Sequence, residues 1–371
     1  MLELKFRIYF GGTSATVEEL AHIDEITVDQ AEDIAWEARI VMAHCLDANG
    51  RWSRQDQARF APRTQVRIEL KMGTDDFKPL IEGPIVSVDN ALDSRPGRST
   101  ATIVVHDDSA WLNQTSAASV LTDRPDNQIA EELFTTGSSN HVTTPDVVLP
   151  AASPPSLGEQ FAHLGTPMQK LRYLARRNGC RTYVLPGAIA GQSVGCMKGD
   201  PEGNPVLPPL VLLGSARNLV SVNATEDPEV ARRSTSHTLR LSDQQTGSYT
   251  TGVTDDVLLG PRAAAAAPAE RTLSPTASDS EDPAARTAAE ARLRNYPVRY
   301  TGTLIPGAYP KILQPFQKVM LNAGATTSSA TILVTKVTHR ITPSVYSVNF
   351  EGRGNSLAEL GAPTGTPAGI V

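Results

Sequence analysis

The sequence predicts an α+β protein that is mainly β, with two strand-rich modules on either side of a mixed segment. Alternation of apolar and polar residues, the strand period, dominates residues 1–110 and residues 216–356. Helical spacings of three and four fall mainly in residues 111–215. The chain has 371 residues, which is enough for two or three domains with cores of their own.

The first module reads as a series of half-buried strands. In "LKFRIYF", residues 4–10, every second side chain is apolar, and "TQVRIELKMG", residues 64–73, repeats this pattern. "IVSVDN" and "TATIVVHD" complete a β domain that is expected to end near residue 110. "VDQAEDIAWEA", residues 28–38, is the one stretch here with helical character, and it leads into the strand "RIVMAH".

The mixed segment, residues 111–215, contains two predicted helices. The first, "DNQIAEELFTT", has Asp126 as its N-cap and buries Ile129, Leu133 and Phe134. A proline-rich connector, "PDVVLPAASPPS", follows it. After the second helix, "LPGAIAGQSVGCMKGDPEGNPVLPP" is too rich in Gly and Pro for regular structure beyond short strands.

The second helix forms the first part of "MQKLRYLARRNGCRTYVLPG", residues 168–187. Thr166 and Gln169 have the spacing of a capping box, and Pro167 suits the first turn. Gly179 stands where a left-handed residue ends a helix, and the β-prone "CRTYVL" follows it. We therefore expect an amphipathic helix that turns directly into a strand.

The third region, residues 216–356, returns to strand periodicity. "HTLRLS", "TILVTKVTHRI" and "YSVNFEG" alternate in the strand manner. A low-complexity insert at about 260–282 is expected to form a mobile loop. A helix should follow it, with Asp282 as N-cap and Pro283 at its first position. Residues 357–371 read as a loose C-terminal tail.

Composition excludes several classes of protein. Hydrophobic residues make up 40% and charged residues 20%, which is ordinary for a soluble globular protein. The net charge of −6 argues against a chain that wraps nucleic acid. The 3 cysteines have neither disulfide nor zinc spacing, which favours a reducing compartment. No signal peptide and no membrane-spanning run is evident, so we expect no membrane insertion.

Three short motifs are candidates for chemistry. "GQSVG" matches the nucleophile elbow of serine hydrolases at Ser193, but no helix follows it, and a flexible hairpin or loop is the alternative. His44 and Cys45 are neighbours on a strand, so their side chains should point to opposite faces. "HDD", residues 106–108, could supply a metal ligand or a general base, although such a triplet at a strand end is more often a turn cap. We predict no cofactor, no metal site and no enzyme activity.

The stretch of residues 168–187 carries a dense group of cations. Five of them fall within twelve residues: Lys170, Arg172, Arg176, Arg177 and Arg181. They could hold nucleic-acid phosphate, but no stacking aromatics lie nearby. The favoured interpretation is a solvated helix face whose arginines pack across a subunit boundary.

The order of these segments resembles a known family. "LIEGPIVSVDNALDSRPGRSTATIVVHDDSAWL", "LRYLARRNGCRTYV", "PFQKVML" and "VTKVTHRITPSVYSVNFEGRGN" follow one another as in the late control D family of phage baseplate hubs. These hubs are gp27-like and related to the N-terminal part of VgrG spike proteins. The likeness spans roughly residues 1–356.

The resemblance implies a homotrimer in which each chain supplies two tube-like β-barrel domains with an α+β insert between them. Six barrels would form a pseudo-sixfold ring that joins a hexameric tail tube to a trimeric central spike. The implied partners are the tube protein, the spike protein, other baseplate proteins and the tape measure protein. The implied place is the tail baseplate of a virion assembled in the bacterial cytoplasm.

Two alternatives stay open at this point. VgrG chains continue into a neck and a β-helical spike, whereas this one ends soon after Asn355, so the spike is expected to be a separate protein. The hub of a bacterial contractile injection system or type VI-like apparatus is the alternative within the same class. A serine hydrolase that uses Ser193 is the alternative from another class.

Overall fold

The fold is built from short helices and many strands. A computed structural model describes residues 3–46, 49–50, 52, 58–95, 97–122, 124–150, 160–227, 230, 233–238, 251–254, 259, 262–263, 270–276, 283–324 and 328–357. The prediction of an α+β, mainly β fold is confirmed, and the fold contains one large, mostly antiparallel sheet.

The first module consists of seven strands and one short helix. In chain order they are β1 Leu4–Phe10, β2 Thr13–Ser14, α1 Val17–Ala21, β3 Ile23–Ala31, β4 Glu37–Ala43, β5 Gln65–Met72, β6 Lys78–Ala91 and β7 Thr100–His106. Short 3₁₀ helices lie at Ala58–Phe60 and Asp108–Asn113. Gly83 lets β6 cross close to the end of β7, because a Cβ there would lie 2.0 Å from the His106 carbonyl oxygen.

The middle segment places two helices against a small mixed sheet. Its elements are β8 Ala117–Thr122, α2 Asp126–Gly137, β9 Val142–Val148, β10 Gln160–Gly165, α3 Pro167–Arg177, β11 Arg181–Leu185, β12 Ser193–Lys198 and β13 Leu210–Val211. Strand β12 pairs antiparallel with β11 and parallel with β9. The predicted capping box of α3 is present, and Gly179 has a φ of 66°.

The third region adds ten strands and one helix. They are β14 Leu219–Glu226, β15 Arg233–Thr238, β16 Thr251–Thr254, β17 Arg262–Ala263, β18 Glu270–Thr276, α4 Pro283–Arg294, β19 Val298–Leu304, β20 Lys318–Asn322, β21 Ala330–Ile341, β22 Tyr346–Gly354 and β23 Ser356–Leu357. Asn218 donates its N–H to the Val211 carbonyl and accepts from the Ile305 N–H. These two bonds return the sheet edge to β13, so the strands close on themselves at this end.

One sheet of 13 strands joins the first module to the third region. Its central junction is the antiparallel pairing of β3 with β21, from Ala31 opposite Lys336 to Ile26 opposite Ile341. Hydrophobic residues form one core inside each module and a third in the middle segment. The core of the first module includes Ile341 from β21, so the two β modules share a packed boundary.

The predicted helix at residues 28–38 is wrong. This stretch forms the end of β3, a turn and the start of β4. Val28, Ala38 and Ile40 are fully buried at strand spacing, which outweighs the helical propensity of the Glu and Ala residues. The helix of this module is α1 instead, and Thr16 and Glu19 close a capping box at its start.

The predicted cap of α2 needs a correction. Pro125 occupies the cap position, and Asp126 is the first helical residue, without a capping hydrogen bond. The Asp126 carboxylate accepts instead from the Asn178 side chain at 2.7 Å, which ties α2 to the end of α3. Ile129 and Phe134 are buried as predicted, and Leu133 is partly buried.

Parts of the third region test the remaining expectations. Within the insert predicted as a loop at 260–282, residues 270–276 form β18, which pairs parallel with β15. The loop prediction is therefore wrong there, and buried Leu273 gives a physical reason. The helix from Pro283 is confirmed, whereas its proposed cap Asp282, most of the insert and residues 358–371 lie outside the described residues. The domain boundaries near 110 and 215 stay a prediction.

Candidate functional site

Two buried polar clusters hold the middle segment against the β modules. The first, which we call the Asp108 junction, comprises Arg67, Glu82, Asp108, Ser193 and the backbone of residues 187–191. Arg67 pairs with Glu82 at 2.5 Å and donates to the Gly187 carbonyl at 2.9 Å. Glu82 in turn accepts from the Gly191 N–H at 2.6 Å. The strands β5 and β6 thus fix the loop that leads into β12.

Asp108 lies at the centre of this junction. It accepts from the Ser193 hydroxyl at 2.5 Å, from the Gln65 amide at 2.6 Å and from the Trp111 indole at 3.1 Å. Burial raises the pKa of Asp108 to about 6, while the hydrogen bond from Ser193 opposes this rise. Three donors around one buried carboxyl satisfy it without a cationic partner.

The geometry does not suit Ser193 as a nucleophile. Its side chain is fully buried at the start of strand β12, and its hydroxyl donates to a carboxyl rather than to an imidazole. A serine nucleophile needs an adjacent base and access to substrate. The alternative expectation was a flexible hairpin or loop, and the motif does lie in a hairpin, because β11 and β12 are consecutive antiparallel strands. Residues 193–195 of the motif belong to a strand that pairs on both sides, so for them the loop expectation is wrong.

The three residues at 106–108 have different structural roles. His106 contacts Glu37 at 3.3 Å across neighbouring strands. Asp107 caps the 3₁₀ helix that follows, accepts from the Trp36 N–H at 2.7 Å, and has its pKa raised to about 7 by burial. Within the described residues, no group of three or more His, Cys, Asp or Glu side chains could hold a metal ion.

His44 and Cys45 lie in different environments. His44 is buried and its ring stacks at a tilt on Trp52 with 5.1 Å between centroids, whereas Cys45 is exposed. The difference in burial agrees with the expectation that neighbours on an extended chain point to opposite faces.

The second cluster, the Arg181 junction, comprises Arg181, Arg353, Glu32, Asp200 and Tyr296. Arg181 contacts Glu32 at 3.1 Å and Asp200 at 3.2 Å. Arg353 contacts Glu32 at 2.9 Å and lies over the Tyr296 ring at 4.1 Å. Tyr296 donates its hydroxyl to Asp200. The cluster connects β3, the middle segment and the third region.

The five cations of residues 170–181 therefore lie in different environments, four on α3 and Arg181 at the start of β11. Lys170 and Arg181 are buried, and Arg177 lies 3.9 Å from Asp126. For Arg181 the expected pairing across a subunit boundary is wrong, because its carboxylate partners belong to the same chain. Arg172 and Arg176 are exposed. Tyr183, on the strand that follows the helix, stacks on Phe316 of the third region with 3.6 Å between the ring centroids.

Sequence reasoning did not identify Glu32, Asp200 and Arg353 as partners of Arg181. Glu32 and Arg353 are 321 residues apart and meet because β21 pairs with β3 on one side and with β22, which carries Arg353, on the other. No local pattern marks such a pair. The buried position of Arg181 had one indirect signal, since it begins a strand directly after the glycine that ends α3.

No helix in the described part of the chain is long and apolar enough to cross a membrane. No protein-family model and no curated protein sequence matches the chain.

Several solved structures share the fold over nearly the whole chain. A tail protein from Neisseria meningitidis MC58 matches with a TM-score of 0.63 at 14% identity, covering 94% of this chain and 96% of that one. The 43 kDa tail protein of prophage MuSo2 from Shewanella oneidensis matches with a TM-score of 0.62 at 15% identity, covering 94% and 98%.

A secretion-system protein shares the fold as well. A component of the Escherichia coli type VI secretion system, itself structurally similar to the T4 bacteriophage tail proteins gp27 and gp5, matches with a TM-score of 0.58 at 11% identity. The match covers 98% of this chain and 81% of that one. This chain therefore has the mainly β fold that these phage tail proteins share with a type VI secretion component.

Proposed function

We propose that this chain is the structural baseplate hub of a contractile phage tail, of the late control D type. In this proposal three copies form a ring that joins the hexameric tail tube to the trimeric central spike. The observation that carries it is the likeness to two phage tail proteins along almost their full length. The proposed location is the tail baseplate of the virion.

The joined β modules support the role of a symmetry adaptor. Three chains with two modules each would offer six β surfaces to a sixfold tube. Such an adaptor needs a fixed angle between its modules. The pairing of β3 with β21 and the Lys311–Asp75 ion pair at 2.7 Å both link the two modules directly.

The environment of Ser193 supports a structural role rather than hydrolysis. Its hydroxyl is buried and donates a hydrogen bond to Asp108. No histidine is among the described residues whose hydrogen bonds Asp108 accepts. Both buried clusters connect modules and so have a structural use.

A second candidate is the hub of a bacterial contractile injection system or type VI-like apparatus. The likeness to the Escherichia coli type VI component favours it. Gene context separates the two candidates, since capsid and terminase genes would accompany a phage hub, whereas toxin and ATPase genes would accompany an injection system.

Light scattering after size exclusion tests the proposal. The purified chain is measured alone, with the tube and spike proteins encoded beside it, and with tube and spike proteins of an unrelated phage as the control. We expect a species of three times the chain mass that binds only the cognate partners. A strict monomer in every mixture would contradict the proposal.

A further inference from the structure

A cleft of about 770 Å³ beside helix α3 has the opposite charge to the chain as a whole. Among the described residues, the charged ones that line it are Arg172, Arg176, Arg181, Arg294, Arg353 and the two carboxylates Glu32 and Asp33. The chain carries a net charge of −6, so a site with more cations than anions stands out. Clefts lined by one sign of charge concentrate ligands of the other sign.

Three of these arginines already have carboxylate partners. Arg181 and Arg353 pair with Glu32 at the Arg181 junction. Arg294 contacts Glu290 at 2.9 Å on the same helix. Their charges are largely balanced before any ligand arrives.

Arg172 and Arg176 differ from these three. Both are exposed on consecutive turns of α3, and within the described part of the chain neither pairs with a carboxylate. Like charges four residues apart on a helix repel each other. Arg176 lies in the last turn, where a cation is favourable, but Arg172 has no such compensation. An anion between them would relieve this repulsion.

The inner wall of the cleft offers further donors. The Nε and Nη2 atoms of Arg353 are buried and make no hydrogen bond with the described residues, and Nη2 lies 3.6 Å from an Asp200 carboxylate oxygen. Guanidinium groups bind carboxylates through two parallel hydrogen bonds. The cleft thus combines two exposed guanidinium groups, those of Arg172 and Arg176, with the Nε donor of Arg353, which has no hydrogen-bond acceptor among the described residues.

Apolar side chains at the rim favour a peptide as the ligand. Leu164 is 75% exposed and Tyr173 is 49% exposed, and both line the cleft with Arg172 and Arg176. Single-stranded nucleic acid is held by several aromatic rings in a basic groove, and Tyr173 is the one aromatic residue among the described residues of the lining.

We propose that this cleft binds an acidic segment of a partner protein. Carboxylates of the segment contact Arg172 and Arg176, and its apolar residues contact Leu164 and Tyr173. The site needs only one chain, so it does not depend on the hub proposal.

The test measures fluorescence anisotropy of a labelled peptide of alternating Glu and Leu residues with the full chain. The same peptide with Gln in place of Glu and an oligothymidine of similar length are the comparison ligands. In the variant Arg172→Glu/Arg176→Glu we expect the affinity for the Glu peptide to fall at least about tenfold, because two attractive contacts become repulsive. The control Arg217→Glu/Arg299→Glu changes two exposed arginines elsewhere and the net charge equally.

The control variant should retain the wild-type affinity, and added salt should weaken binding. Failure of the wild-type chain to bind the Glu peptide, equal binding of the Gln peptide, or equal loss in both variants would overturn the proposal. Tighter binding of oligothymidine than of the peptide would overturn the assignment to a protein partner. Thermal unfolding of both variants confirms that they are folded.

Discussion

The Asp108 junction and the Arg181 junction bury charge between modules in different ways. At the first, Asp108 is surrounded by the neutral donors Ser193, Gln65 and Trp111. At the second, Arg181 and Arg353 are held by the carboxylates Glu32 and Asp200. The contrast concerns Asp108 and the two arginines, since the first junction also contains the buried Arg67–Glu82 pair. Asp108 can lose its charge by taking up a proton, whereas Arg181 and Arg353 stay charged and depend on their carboxylate partners.

The difference follows from what each buried group can do with its charge. A carboxyl can take up a proton when burial makes its charge costly, and the pKa of Asp108 is raised to about 6 for this reason. An arginine keeps its charge at any ordinary pH and must be paired instead. Burial also raises the pKa of Glu32, but Arg353 and Arg181 oppose this rise.

Arg181→Met should have the largest effect on stability. It removes one of the two arginines that Glu32 and Asp200 contact and leaves them with Arg353 alone, and breaking such a buried pair costs about 3–5 kcal/mol. Chemical denaturation of the variant measures the free energy of unfolding. The matched change Arg299→Met, at an exposed strand position, should cost no more than about 0.5 kcal/mol. Equal losses of stability in the two variants would show that the ion pairs of the Arg181 junction do not stabilise the fold.

Ser193→Ala should have an intermediate effect. Loss of the hydroxyl leaves Asp108 with one donor fewer, which costs about 1–3 kcal/mol. The cost should be larger at pH 8 than at pH 5, because the lost hydrogen bond stabilises the charged carboxylate. The control is Ser221→Ala, at an exposed serine on strand β14, which should change stability little at either pH.

The same variant tests the hydrolase alternative. A fluorophosphonate probe should label neither the wild-type chain nor Ser193→Ala. Labelling of the wild type that disappears in the variant would restore Ser193 as a nucleophile and contradict its assignment to the junction.

Asp108→Asn should change how stability depends on pH more than it changes the overall free energy of unfolding. A carboxyl with a raised folded-state pKa contributes its stability fully below about pH 4 and loses it as the pH rises through about 6. Asn cannot ionise, so the variant should be less stable than the wild type by about 1 kcal/mol at pH 5 and gain on it towards pH 8. Thermal midpoints from pH 4 to pH 8 measure this, with exposed Asp89→Asn as the control. Parallel curves would show that Asp108 does not titrate as described.

The smallest effect on stability is expected from Arg172→Glu and Arg176→Glu. Both side chains are exposed, so each change should alter the free energy of unfolding by no more than about 0.5 kcal/mol. The substitution Arg181→Met, only a few positions further along the same basic tract, should lower the free energy of unfolding many times more. A large loss of stability in either variant would show that α3 uses these arginines inside the fold.

Helix ends and turns could be predicted from the sequence, whereas most contacts between residues far apart in the chain could not. The capping box at Thr166 and the left-handed Gly179 follow from local rules, and both are present. The helix expected at residues 28–38 failed because Trp36 and its neighbours are buried by strands far away in the chain. Strand pairing with distant residues overrides local propensity there.

The candidate sites show the same limit. "GQSVG" has the letters of a nucleophile elbow, but the neighbour that decides its chemistry is Asp108, 85 residues away. Likewise, the basic tract around α3 looks uniform in sequence, and only packing against Glu32 and Asp200 separates Arg181 from Arg172. Chemistry at these positions depends on contacts that no local spacing encodes.

The most direct test of the proposed hub is a cryo-EM map of the assembled tail tip. The proposal predicts three copies of this chain in one ring between tube and spike, with six β modules in near-sixfold positions. A map in which the chain is a single copy, or is absent from the ring between tube and spike, would contradict it.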